Sequence, residues 1–191
     1  MFVRICKMEL MATLVLAHLL ADFPLQSNAI AAAKAKSLYG LIVHVMVHVL
    51  VLWTLLGFCK SAWALILSVG IAHFIVDWVK KQSPYLCGVR GFLIDQFAHF
   101  LCIVVITVIA TTRSNLQLSL ILPTTLLNLV TILGFSLPAI VLYWIWINTL
   151  QDKKSHSALW LRWNNNQLLQ IEQSAGLGLI LILGIGALLY R

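Results

Sequence analysis

Long apolar runs separated by short polar segments decide what this chain can fold into. A helix needs about 20 mostly apolar residues to cross the hydrocarbon core of a bilayer, and runs of this length recur along the sequence. Only 10% of the 191 residues are charged, against about a quarter in soluble domains. Because backbone polar groups in lipid must be satisfied within their own segment, such runs form helices. The sequence therefore predicts an all-α integral membrane protein.

The runs predict about six transmembrane helices in a single membrane domain. The first four spans and the last are expected at 8–25, 39–58, 61–79, 92–111 and 174–190. We interpret 118–150, which contains two prolines, as a short lipid-facing or re-entrant piece followed by one span near 133–150. The polar segment 151–173 predicts an amphipathic helix at the membrane interface. The expected organisation is a four-helix core in 1–111 and a C-terminal membrane region in 112–191.

The excess of basic residues points to the membrane surface as the charged partner. The net charge is +7, and basic residues in short loops favour contact with anionic lipid headgroups over nucleic acid, for which the sequence has no motif. With six spans, eight Lys and Arg residues fall on one side and five on the other. This bias predicts that the loops after the first, third and fifth spans are cytoplasmic.

Ionisable residues are concentrated inside the first four spans. Each of these spans carries one pair of His or Asp residues at i and i+4, a spacing that places both side chains on one helix face. The pairs are His18 and Asp22, His44 and His48, His73 and Asp77, and Asp95 and His99. Every pair lies at the end of its span that borders the first or third loop. All eight side chains are therefore expected in the same half of the membrane.

This cluster predicts a metal site. Ionisable groups inside a bilayer are costly unless paired or hydrated, and they usually mark function. Imidazole suits zinc or iron, and carboxylates also admit manganese or magnesium. Eight groups exceed one tetrahedral site, so we expect one or two divalent ions, with zinc, manganese and iron the best fits. Some of the eight can instead orient a ligating histidine, and a hydrogen-bond network without metal is the alternative.

An internal repeat accompanies the cluster. Leu16–Phe23 is similar to Ile71–Trp78, at an offset of 55 residues. The same offset superposes His44 on His99 but leaves their partners in the second and fourth spans unmatched. We interpret the pattern as two helix hairpins related by a pseudo-two-fold axis along the membrane normal, with the polar cluster between them.

Three further polar side chains near the cluster are candidates for substrate binding. They are Gln26, Lys81 and Gln96. Gln26 continues the helix face of the first pair by four residues. Lys81 does the same for the third pair, where Lys80 could take its place. Three other basic residues are interpreted as flanking charges at the membrane surface: Lys34, Lys36 and Arg90.

The succession of motifs resembles one protein family. It consists of His18-x3-Asp22-Phe23-x2-Gln26, His44-x3-His48, His73-x3-Asp77-x3-Lys81 and Asp95-Gln96-x2-His99. Over residues 10–110 it resembles a bacterial membrane family known as domain of unknown function 3307. The resemblance implies a small multi-pass protein of the bacterial cytoplasmic (inner) membrane and brings no established activity. More distantly, the His-x3-Asp helices resemble those of LexA-regulated, membrane-bound metal-dependent hydrolases, an analogy that does not establish function.

Three hypotheses for function follow from these patterns. The first is a metal-dependent hydrolase acting on an anionic or lipid-linked substrate near one membrane face, with any of Asp22, Asp77 and Asp95 that does not bind metal serving as the base. The second is a transporter of divalent cations or protons, because His and Asp chains also form ion paths. The third is a non-catalytic membrane module. The first is preferred, because the ionisable groups stop in one half of the membrane.

Overall fold

A computed structural model describes residues 3–4, 6–83, 85–112, 117–118, 122–152 and 159–189. These residues are helical apart from loops, a 3-10 turn at Lys60–Ala62 and a two-residue antiparallel pairing of Val3–Arg4 with Gln117–Leu118. The helices are α1 (Lys7–Asp22), α2 (Asn28–Lys36), α3 (Leu38–Leu55), α4 (Trp63–Gln82), α5 (Gly88–Thr112), α6 (Thr124–Gly134), α7 (Ser136–Asp152) and α8 (Leu159–Leu189).

Four helical stretches are long and apolar enough to cross a membrane. They are Leu38–Leu55, Lys60–Gln82, Gly88–Thr112 and Thr124–Ile147. Helix α1 has only 16 residues, and the apolar part of α8, Gln173–Leu189, is also shorter than a full span. By length and composition the chain is therefore a membrane protein with four candidate spans among its described residues.

The structure gives the helix bounds of the C-terminal region. Helix α6 begins after Pro123 and ends at Gly134, and α7 follows after Phe135, so that Thr124–Ile147 has the length of one span. The expected separate interfacial helix within 151–173 is instead, from Leu159 onward, the first part of the continuous helix α8. No proline interrupts 159–189, so the backbone hydrogen bonds continue through the polar residues. Residues 153–158 lie outside the described residues.

Helix α1 lies at the centre of the protein. It contacts α3, α5 and α6, and every residue from Thr13 to Asp22 is buried. A helix that is apolar on all sides is typical of such a position. At its N-terminus, Glu9 accepts a hydrogen bond from the Thr124 hydroxyl of α6. The polar residues of α1 therefore face several neighbouring helices.

Helices α1, α3, α4 and α5 enclose the polar cluster. Helix α1 packs against α3 and α5, and α4 packs against the same two helices from the other side. The four faces that carry the i and i+4 pairs therefore point into one shared interior.

Two glycines allow the preceding chain to fold back over the helices of this ring. A Cβ atom on Gly40 in α3 would lie 2.2 Å from the backbone of Ala33, and one on Gly91 in α5 would lie 2.3 Å from the backbone of Leu86. Real Cβ atoms do not approach backbone atoms so closely. The close approach at Gly40 packs α2 against α3 and brings Lys34 to the mouth of the cluster.

Candidate metal centre

The structure brings together all eight His and Asp residues of the four pairs. Each is buried, with no more than 8% of its surface exposed. Three groups among them could hold a metal ion, because each offers ligand atoms within 4.8 Å of one another. These groups overlap, so the cluster is one continuous set of donors that joins four helices.

The tightest convergence surrounds one oxygen of Asp22. Its Oδ1 atom lies 2.9 Å from the Nε2 of His44, 3.1 Å from the Nε2 of His48 and 3.6 Å from the Nε2 of His73. The Nε2 atoms of His44 and His73 are 3.1 Å apart. Ligand atoms placed tetrahedrally at about 2.0–2.1 Å from zinc lie about 3.3–3.4 Å apart. These four distances are therefore close to the edges of a tetrahedral site. Asp22, His44, His48 and His73 are called the first group below.

The Nε2 atom of His44 has two polar neighbours of opposite kind. It faces the carboxylate of Asp22 at 2.9 Å, which only accepts, and the ammonium of Lys34 at 3.3 Å, which only donates. A ring nitrogen carries either one proton or one lone pair. With its lone pair free, Nε2 could bind a cation together with the carboxylate of Asp22, because imidazole nitrogens and carboxylate oxygens are both metal ligands.

A second group consists of Asp77, Asp95 and His99. The Nδ1 of His99 lies 2.9 Å from the backbone carbonyl oxygen of Asp95. Because a carbonyl only accepts, Nδ1 carries the proton and Nε2 keeps its lone pair. That Nε2 and the Oδ1 of Asp95 are both buried without a hydrogen-bond partner in the described part of the chain. Metal-binding histidines usually have their other nitrogen fixed in this way.

Asp77 lies between the two groups. Its Oδ2 is 3.5 Å from the Nε2 atoms of both His44 and His73, whereas its Oδ1 is 4.0 Å from the Nε2 of His99. The two oxygens of one carboxylate therefore face different groups.

His18 lies beside the second group. Its ring stacks on that of His99 with centroids 4.9 Å apart. Its Nδ1 is 3.5 Å from the Oδ2 of Asp22, and its Nε2 is 3.4 Å from the Oε1 of Gln96. His18 is thus placed either to bind an ion or to orient Asp22.

Two lysines reach the cluster from the loop side. Lys34 lies 3.2 Å from the Oδ2 of Asp77, and Lys80 lies 2.6 Å from the Oδ2 of Asp95. Lys81, the lysine favoured by the sequence pattern, is exposed, and so is Lys36. Lys80 takes the position because it is three residues beyond Asp77, on the part of the α4 surface that faces α5. The glycine at position 40, which allows α2 to cross α3, was the available signal for Lys34.

The net charge of the site favours the binding of cations. Three carboxylates, when ionised, face two ammonium groups, so neutral histidines leave one net negative charge. One divalent ion would reverse the sign of the site, and two would make it strongly positive. A metal-loaded site would therefore attract an anion.

A polar pocket of about 220 Å³ opens beside the cluster. Gln26 and Gln96, both predicted for substrate binding, line it together with Lys34 and Lys80. The other lining residues are Asp22, Phe23, Ala31, Phe92, Asp95, Val141, Trp144 and Gln173. Gln26 also donates to the backbone oxygen of Asp22 at 3.1 Å. Four groups able to bind an anion thus surround a space that reaches Asp22 and Asp95.

Beyond the histidines the interior becomes apolar. A cavity of about 20 Å³ touches His18, His48, His73 and His99, and its other walls are almost wholly aliphatic. These walls are Ala17, Leu52, Val69, Ala72, Cys102, Ile103 and Ile106. The polar space therefore opens toward one face of the protein, and apolar side chains close its other end.

Comparison with protein families identifies a match over most of the chain. Residues 10–128 match the family described as "Protein of unknown function (DUF3307)", which is more than half of the chain. The chain belongs to this family. The DUF3307 match confirms the resemblance drawn from the four motifs, and the matched residues include all eight members of the cluster. Comparisons with curated proteins and with solved structures give no match.

Proposed function

We propose that this DUF3307 protein is a metal-dependent hydrolase of the bacterial inner membrane that cleaves a phosphate ester of an anionic, lipid-linked substrate at one membrane face. In this proposal α1 and the apolar part of α8 cross the membrane together with the four longer stretches, which gives six spans. The observation that carries the proposal is the open polar pocket, which joins two buried groups of His and Asp residues to two lysines.

The proposal assigns two ions to the cluster. The first group would hold one ion, the second group would hold the other, and Asp77 would contribute one oxygen to each. The three aspartates would then all be ligands, with none reserved as a separate base. The bound ions would supply an activated water and stabilise the charge that develops on a phosphoryl group.

A repeat with a shifted register supports two equivalent ion sites. Gly40, His44 and His48 recur as Gly91, Asp95 and His99 at an offset of 51 residues, and both glycines accommodate a crossing backbone. Helices α1 and α4 are related by the offset of 55 residues. The two offsets differ because four more residues lie between the repeated motif of α1 and Gly40 than between that of α4 and Gly91. His73 beside His48, with ring centroids 3.6 Å apart, then corresponds to His18 beside His99.

The lysines and glutamines position the substrate in this proposal. Lys34 and Lys80 now neutralise Asp77 and Asp95. When ions take over that neutralisation, both ammonium groups become available to the phosphate oxygens. Gln26 and Gln96, which also line the pocket, add hydrogen bonds. Such preorganised donors act more strongly where water is excluded.

The apolar far end of the cluster favours a hydrolase over a transporter. A path for ions or protons across the bilayer requires polar groups through its whole depth. Here Leu52, Ile103 and Ile106 line the space directly beyond the histidines. A pocket with one opening suits a reaction whose substrate and products use the same face.

The test combines metal content with turnover. The protein is purified in detergent, loaded with zinc, manganese or iron, and assayed for phosphate released from butyl phosphate and hexadecyl phosphate. We expect two equivalents of metal and release that His48→Ala abolishes. His156→Ala, which changes the one histidine outside the cluster, is the matched control. Phosphate release that persists at full rate in His48→Ala or after complete metal removal would refute the proposal, and so would the absence of release from both esters.

A further inference from the structure

An apolar groove of about 360 Å³ runs along the outside of the polar cluster. It lies between α1, α5 and the junction of α6 with α7. Aromatic and aliphatic side chains form nearly all of its surface. The lining residues are Val15, His18, Leu19, Phe92, Leu93, Gln96, Phe97, Phe100, Ile103, Phe135, Pro138, Ala139 and Leu142.

The groove meets the polar pocket at Phe92 and Gln96, which line both spaces. Its polar lining residues are His18 and Gln96, whose Nε2 and Oε1 atoms are 3.4 Å apart. A molecule with a charged head and an apolar tail can therefore occupy both spaces at once. Its head would lie between Lys34 and Lys80, and its tail would pass Phe92.

The length of the groove corresponds to one leaflet of a bilayer. From Phe92 to Ile103 the axis of α5 rises by about 16 Å, at about 1.5 Å per residue. Half of the hydrocarbon core measures about 15 Å. The groove therefore has the depth of a single lipid chain that extends from the headgroup level toward the middle of the membrane.

The groove is open to the lipid side of the protein. Leu93 and Phe135 are about half exposed, and Phe97 is 67% exposed. A chain can slide sideways from the bilayer into the groove without passing through water, where each methylene would lose its apolar surroundings.

We propose that this groove binds the hydrocarbon chain of a lipid phosphate that lies within one leaflet of the bilayer, and that its phosphate occupies the polar pocket. The inference rests on the proposed function only for the fate of that phosphate. In the reaction, water forms a new P–O bond, the ester P–O bond breaks, and one proton of the water goes to the departing alkoxide. The lipid alcohol, which has lost its anionic head, leaves sideways into the bilayer, and inorganic phosphate leaves through the open face.

The position of the chain is tested by photo-crosslinking with hexadecyl phosphate that carries a diazirine near the end of its chain. We expect labelling of the metal-loaded protein at Phe97, Phe100 and Phe135. Unlabelled hexadecyl phosphate should compete, whereas hexadecanol should not, because it lacks the anionic head.

Filling the groove provides the matched comparison. Overpacking a binding space of this kind weakens binding by roughly tenfold. Ala139→Trp should therefore lower the specific labelling by about that factor, with Leu93→Trp as a second variant if the first binds less metal than the parent. Ile132→Trp, at an exposed site on α6 away from the groove, should leave the labelling unchanged.

The outcomes separate this inference from the proposed function. Specific labelling of the groove without phosphate release would support the chain site and refute the hydrolase. Release of phosphate at equal rates from butyl and hexadecyl phosphate, with labels spread over all lipid-facing side chains, would support the hydrolase and overturn the inference. Labelling that hexadecanol removes equally well would also overturn it, because the groove would then hold any membrane lipid.

Discussion

Replacing Asp77 by Asn tests the two-ion arrangement most directly. The side chain keeps its size, but it loses the charge and one of the two oxygens that face the first and second groups. Loss of a residue that merely orients a ligand costs about 10–100-fold in metal affinity. Loss of a bridging carboxylate should cost at least the upper figure for each ion, or about 2.7 kcal/mol per ion.

The same substitution has a smaller effect on the metal-free protein. It removes the ion pair of Asp77 with Lys34, whose side chain is 22% exposed. Because Lys34 can turn toward water, the loss of stability should be about 1 kcal/mol. At metal concentrations that saturate the parent, the metal-dependent gain in stability should fall by roughly 5 kcal/mol over the two ions.

Elemental analysis and thermal unfolding in detergent, each with and without chelator, measure both quantities. We expect Asp77→Asn to lose both equivalents of metal and most of the upward shift in Tm that metal produces. Asp152→Asn, which changes the one aspartate outside the cluster, should behave as the parent. If Asp77→Asn retains two ions, or loses only one, Asp77 is not a bridge and the two-ion reasoning fails.

Three further predictions concern the pocket, the helix crossing and the role of metal. Lys80→Met should raise KM for hexadecyl phosphate about tenfold, because one charged contact to the phosphate is lost, while the metal content stays at the parent value. Lys81→Met should change neither KM nor metal content. Loss of metal in Lys80→Met would contradict the assignment of Lys80 to the substrate. Gly91→Ala should lower the free energy of unfolding by roughly 2 kcal/mol or more, because its Cβ would overlap the backbone of Leu86. The control Gly184→Ala has open space around the new Cβ. Equal Tm values for the two variants would refute the close approach at Gly91. A chelator should lower the Tm of the parent but not that of a triple variant lacking His18, His73 and His99, and an equal fall in both would exclude the cluster as the binding site.

The cluster could be predicted from sequence because helix geometry and membrane depth act together on it. The i and i+4 spacing fixes a face, and the position of each pair near one end of its span fixes a level. These two coordinates bring residues as distant as His18 and His99 together. The identity of the neighbouring helices was not needed, since a bundle of four helices has only one interior.

The lysines could not be assigned in the same way, because their placement depends on a crossing outside the spans. Lys34 reaches Asp77 only because α2 folds over α3 at Gly40. In the proposed two-ion arrangement, the four extra residues that precede Gly40 shift the second helix of the first hairpin, so that His44 is matched to Asp95 at an offset of 51 residues. Gly40 and Gly91, each four residues before a buried His or Asp, are the sequence signal for that register.

The central place of α1 has a consequence for how the protein is assembled in the membrane. Helix α1 is synthesised before every helix that covers it, it spans only about 24 Å at 1.5 Å per residue, and it carries His18 and Asp22. Alone in lipid it would be a poor transmembrane segment. Its stable position therefore depends on its contacts with α3, α5 and α6, the last of which follows about a hundred residues later. A chain interrupted before α6 should leave α1 uncovered and open to proteolysis, so that quality control can act before the buried His and Asp cluster is complete.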